Sequence, residues 1–126
     1  AAAMADPHNL QDTLSINLTF ANGSIGTICY FANGDKSLPK ELLEVYAHGS
    51  VAVLDDFRAL TIHAGGRKQV KKLLTQDKGQ KHEVQAFVDR ILHGGGTLIA
   101  FEDIYNTSLI TFVIVESLRT GQLHKL

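Results

Sequence analysis

Imidazole serves as base and as metal ligand near neutral pH, so the six histidines come first: His8, His48, His63, His82, His93 and His124. No two stand at metal-ligand spacing. His82-Glu83 has no second histidine four residues on, which excludes a zinc helix of the His-Glu-x-x-His type. Cys29 is the one cysteine, with no histidine poised against it in sequence, and no Gly-x-Ser-x-Gly elbow exists. Asp55-Asp56 is a carboxylate pair set in a tight turn with no partner acid. Asp77–Glu83 lacks the oxygen-ligand spacing of a calcium loop. Gly94-Gly95-Gly96 follows a helical pattern rather than a strand, so it does not cradle a dinucleotide phosphate. Arg67, Lys68, Lys71 and Lys72 form a cationic run without interleaved aromatics, which suits edge-strand protection better than nucleic-acid binding. These residues specify no complete active site.

The totals narrow the field further. A chain of 126 residues suffices for one domain with one core. Hydrophobic residues at 44% and charged residues at 20% are globular rather than disordered. A net charge of −1 gives no electrostatic case for nucleic acid or an anionic membrane. A single cysteine excludes an internal disulfide framework and fits a reducing cytoplasm. No apolar run reaches the ~18 residues of a membrane span. Ala1–Ala5 is no signal peptide. Residues 1–9 read as a cloning remnant or linker, with the missing part of a larger protein expected upstream, and 10–126 as one domain.

The elements begin with a hairpin over Thr13–Ala32. Leu14, Ile16, Leu18 and Phe20 alternate with Thr13, Ser15, Asn17 and Thr19, the period of a half-buried strand. Asn22-Gly23 predicts a two-residue turn with both residues at positive φ. That turn pairs Phe20 with Ile25, Leu18 with Thr27, Ile16 with Cys29 and Leu14 with Phe31 on a core face, where Cys29 is a packing residue. The opposite face is then Ser15, Asn17, Thr19, Gly26, Ile28 and Tyr30. Poor in charge and holding Ile28 and Tyr30, it reads either as an ordinary threonine-rich surface or as the buried part of an interface.

Asn33–Lys40 is a polar loop. Strands follow at Leu42–Ala47, Ser50–Leu54, Phe57–His63 and Arg67–Thr75, each bounded by turn formers. A helix over Gln80–Leu92 carries the stripe Val84, Phe87, Val88, Ile91. A second, Phe101–Thr120, starts with Glu102 and Asp103 and stops at Gly121. Its middle is apolar nearly all round, so covering on more than one side is expected. Leu123–Leu126 offers a short tail strand. The predicted class is α+β: an open, mostly antiparallel (mixed) sheet of about six strands with two helices packed on one face.

An ordered series of motifs then carries a resemblance. It comprises Ile25–Glu41 (IGTICYFANGDKSLPKE), Val51–Arg58 (VAVLDDFR), Gln76–Gly79 (QDKG), Phe101-Glu-Asp and Glu116–Gly121. Together these resemble the C-terminal domain of the glucose–fructose oxidoreductase/inositol dehydrogenase family, in the branch where it ends a bidomain oxidoreductase behind a zinc-alcohol-dehydrogenase-like region. The likeness runs from about Leu10 to His124. It implies a parent protein that binds NAD or NADP in an N-terminal Rossmann domain and acts on sugar-like alcohols or carbonyls. It also implies homo-oligomers formed through the bare sheet face, which favours the interface reading of the hairpin. The family's Gly-x-Gly-x-x-Gly and Glu-Lys-Pro motifs are absent here, and His8 does not match its catalytic histidine. No cofactor, metal or catalytic residue is therefore expected in this stretch. Tyr30, Asn33, Lys36 and Lys40 are the expected substrate or partner contacts, with Lys36 or Lys40 meeting an anionic or polyhydroxylated substrate. A non-enzymatic dimerising module is the alternative, and an independent small enzyme a third possibility.

Overall fold

A computed structural model describes residues 2–3 and 12–126. Its elements are β1 (Ala2–Ala3), β2 (Thr13–Thr19), β3 (Ile25–Phe31), β4 (Leu42–Ala47), β5 (Ser50–Asp55), β6 (Ala59–Ala64), β7 (Arg67–Lys72), α1 (Gln80–His93) and α2 (Phe101–Thr120). The class is the one expected, α+β with open antiparallel sheets. The strands divide between two sheets, β1-β2-β3 and β4-β5-β6-β7, and every pairing is antiparallel. The chain forms two compact units, one of Asp35–Gly96 and one of the segments on either side of it. Apart from Ala2–Ala3, the expected linker lies outside the described residues, as does His8.

In the unit that holds β1, β2, β3 and α2, the hairpin closes differently from the expected turn. The Phe20 carbonyl accepts from Gly23 N–H at 2.9 Å, and Phe20 N–H donates to the Ser24 carbonyl at 2.9 Å. The loop is therefore three residues, Ala21-Asn22-Gly23, and only Gly23 takes positive φ (83°). A type I turn ending in a left-handed glycine gives this geometry, and the Asn22 side chain fastens it by accepting from Ser24 N–H at 3.0 Å. The register moves by one residue. Leu14 now faces Tyr30, Ile16 faces Ile28 and Leu18 faces Gly26, while Ser15 faces Cys29, Asn17 faces Thr27 and Thr19 faces Ile25. Because successive side chains alternate between faces, one step sends half of the expected interface set to each side. Ser15, Asn17 and Thr19 lie on one face; Gly26, Ile28 and Tyr30 lie on the other. Cys29 joins the first of these and is exposed, not packed.

Thr13, Leu14 and Ile16 are buried. The backbone of α2 comes close to β1. Its Ser117 is buried and donates to the Gln122 carbonyl at 2.7 Å, while Gly121 caps the helix by donating to the Ser117 carbonyl at 2.8 Å. Ile110, Val113, Ile114 and Leu118 are half-buried along one side, but Phe112 and Val115 stay exposed on another. The residues after Gly121 form no strand.

In the other unit, β4 to β7 run as a simple meander. His48-Gly49 and Gly65-Gly66 are two-residue turns with positive φ throughout, the primed geometry that matches strand twist. β6 begins two residues later than expected and β7 ends three residues sooner. The residues freed at that end build the corner described below. The N-terminus of α1 is set by Asp77, whose carboxylate accepts from Gly79 N–H at 2.9 Å, and by Glu83 N–H donating to the Gly79 carbonyl at 2.9 Å. Its stripe of Val84, Phe87, Val88 and Ile91 is exposed, and the helix has no buried residue. The amphipathic pattern is present, but no other element of this unit buries it.

Candidate functional site

Three sequence-distant segments meet at one end of the β4–β7 sheet: Lys40-Glu41 before β4, Asp55–Arg58 between β5 and β6, and Leu73–Gly79 after β7. The Asp55 carbonyl accepts from Arg58 N–H at 2.9 Å. The two residues between, Asp56 and Phe57, are held at φ 48° and 52°. For a bulky side chain such as phenylalanine this is strained backbone, and the surroundings hold it. Gln76 donates to both the Asp56 carbonyl (3.1 Å) and its carboxylate (2.7 Å). Asp77 N–H donates to the Phe57 carbonyl at 3.2 Å, and Asp56 N–H to the Glu41 carbonyl at 2.8 Å. Lys78 pairs with the Glu41 carboxylate and also lies 5.9 Å from the centre of the Phe57 ring, within cation–π range.

This corner separates two open clefts. One, of about 290 Å³, is lined by Lys40, Glu41, Leu42, Leu43, Leu54 and Phe57. The other, of about 240 Å³, is lined by Pro39, Asp55, Asp56, Arg58, Ala59, Lys72 and Leu73. The first has leucine and phenylalanine walls with one residue of each charge, Lys40 and Glu41, which suits a small ligand with a hydroxylated end. As a base Glu41 is weakened there. The hydrogen bond from Lys78 holds its carboxyl below the usual glutamate range, so it stays ionised. Arg58 donates to the Leu74 carbonyl at 3.3 Å and is partly spent on the fold.

Of the four expected substrate contacts, Lys40 lines the first of these clefts, and Tyr30, Asn33 and Lys36 line neither. Lys36 sits in an exposed turn organised by Asp35, whose carboxylate accepts from the Ser37 N–H (2.8 Å) and hydroxyl (2.6 Å). Those bonds lower the Asp35 pKa, the hydroxyl contributing most. Tyr30 and Asn33 are exposed in the other unit. Glu41, Phe57, Gln76 and Lys78 were not singled out as site residues. Their signal lay in the motif blocks Ile25–Glu41, Val51–Arg58 and Gln76–Gly79, which this corner joins. Among the described residues, no group of three or more histidine, cysteine or acidic side chains is placed to hold a metal ion. No described helix is long and apolar enough to cross a membrane.

Leu14 and Ile16 are the buried large apolar side chains among the described residues. Large apolar side chains of both sheets and both helices, among them Tyr30, Phe31, Leu42, Tyr46, Phe87 and Phe112, are exposed. No family model matches this chain, and no curated protein or solved structure matches it.

Proposed function

We propose that this chain is the substrate-side, oligomerising domain of an NAD(P)-dependent oxidoreductase acting on sugar-like alcohols or carbonyls. In this reading it is inactive alone and works beside a Rossmann domain of the same protein, in the cytoplasm. The observation that carries the reading is the exposure of large apolar side chains on both sheets and both helices. Apolar strands and helices have formed with nearly all of their cores open, as in a module whose neighbours complete it. The resemblance supplies the kind of neighbour. The joining of three of its motif blocks by Glu41, Asp56, Gln76 and Lys78 supports treating them as one unit rather than as scattered coincidences.

A second copy covers the open face of the hairpin, where Ile25, Thr27, Cys29 and Phe31 lie beside Ser15, Asn17 and Thr19. Lys40 and the first cleft are the substrate-facing part. The chain by itself is expected to bind neither NAD nor NADP and to turn nothing over. The protein encoded with its upstream region is expected to oxidise polyols with NAD(P), followed by cofactor absorbance. An upstream region without a dinucleotide-binding fingerprint, or micromolar nucleotide binding by the present chain, overturns the proposal. The exposed surface favours equally a non-enzymatic dimerising module, which predicts no turnover in either protein.

A further inference from the structure

The four-stranded sheet has two edges, and only one is guarded. All six side chains of β4 are exposed, with Leu42 at 66% and Tyr46 at 70%, and Glu44 is its single charge. Among the described residues β4 pairs with β5 alone, so its outer N–H and C=O groups meet no strand. Hydrogen-bonded pairs alternate along an antiparallel ladder. Counted from the two-residue turn at His48-Gly49, they fall at Ala47 with Ser50, Val45 with Ala52, and Leu43 with Leu54. The outward groups therefore belong to Leu42, Glu44 and Tyr46.

We propose that β4 pairs antiparallel with β4 of a second copy of this chain, across a two-fold axis at Val45, joining two four-stranded sheets into one. A two-fold normal to the sheet sets residues of the same face opposite each other. Centring on Glu44 would place two carboxylates directly opposite, which is destabilising. Centring on Val45 places Val45 against the partner's Val45, Glu44 against the partner's Tyr46, and Leu43 against the partner's Ala47. Glu44 and Tyr46 then exchange main-chain hydrogen bonds with the partner's Tyr46 and Glu44, the bonds on which strand addition depends. Tyr46 and Glu44 already sit together on that face, the hydroxyl donating to the carboxylate at 3.4 Å. β7 cannot pair with itself in this way, because Arg67, Lys68, Lys71 and Lys72 would meet their own kind. The inference concerns an edge of the second unit and does not depend on the oxidoreductase reading.

A cysteine at the axis tests it. In a Cys29→Ser background, Val45→Cys places two sulfurs at a non-hydrogen-bonded pair with Cα atoms about 4.5 Å apart, inside disulfide range. Mild oxidation is expected to convert this variant to a covalent dimer at least about tenfold faster than Lys68→Cys on the guarded edge. Val45→Lys sets like charges at the axis and is expected to raise the dimer Kd by about tenfold or more, with the far-ultraviolet circular dichroism unchanged. Equal cross-linking at both positions, or an assembly whose size Val45→Lys leaves unchanged, overturns the proposal; contact through the hairpin face alone gives that result. So does an unsubstituted chain that is monomeric by light scattering at micromolar concentration. Slow amide exchange at Leu42, Glu44 and Tyr46 in such a monomer would mean that the chain covers its own edge. Nucleotide binding plays no part in any of these readouts.

Discussion

The edges of the four-stranded sheet share length and exposure and differ in charge. β7 presents Arg67, Lys68, Lys71 and Lys72 in six residues, and β4 presents Glu44 alone among Leu42, Leu43, Val45 and Tyr46. Cations on an edge repel an incoming strand, and long stems with solvated heads leave no flat apolar strip on which to dock. The difference teaches that an open edge is tolerated where charge guards it. Where charge is missing, the edge is open to strand addition.

Removing the guard gives the largest expected effect. Arg67→Thr, Lys68→Val, Lys71→Val and Lys72→Thr together leave each four-stranded sheet with two unguarded edges in place of one. Pairing then no longer closes on a dimer, and sedimentable filaments are expected in a solution that was clear before. Next come the two turns that hold the edges to the sheet. Gly49→Ala and Gly66→Ala each force a side chain into left-handed backbone (φ 72° and 70°) with open space around it. Each should therefore cost about 1–2 kcal/mol in denaturant unfolding. Only Gly49→Ala, beside β4, should also weaken the dimer. Glu44→Gln removes the charge that separates the two β4 registers, so cross-linking through Val45→Cys should fall by about half as both become accessible.

The smallest effect lies at the start of β4, where Lys78 lowers the Glu41 pKa. The folded state then binds that proton less readily than the unfolded chain does. Its contribution is complete above the ordinary glutamate pKa of about 4.3 and is lost as pH falls through the lowered folded value. The Tm of the natural chain should therefore decline more than that of Glu41→Gln below about pH 4.3. The gap should close in high salt, since the pair is open to solvent.

Much of the local structure was legible in the sequence. The bounds of α2 are those expected, and α1 runs one residue further. The hairpin register was not legible, for two reasons. Asn-Gly suits a two-residue turn and equally a three-residue loop with glycine left-handed. Ile25–Phe31 also carries apolar side chains on both faces, so burial does not choose between registers. The stripe on α1 reports which side of the helix is apolar and carries no information on what covers it. Asp55-Asp56 was legible as a turn. Its attachment to Gln76, twenty residues on, was not, because a tertiary hydrogen bond leaves no periodicity. The same holds for the first cleft: Lys40 was picked out, while its apolar walls come from strands that only the fold brings alongside.

The division of the chain into units also bears on its synthesis. The β4–β7 unit is a single continuous stretch whose strands pair with their nearest neighbours, so it can assemble as soon as that stretch leaves the ribosome. The other unit joins segments on either side of that stretch. Its hairpin and α2 are separated in sequence by the whole meander, so this unit closes only after residues 101–120 have been made. A stop before Phe101 therefore leaves the hairpin without its helix while the meander is already complete.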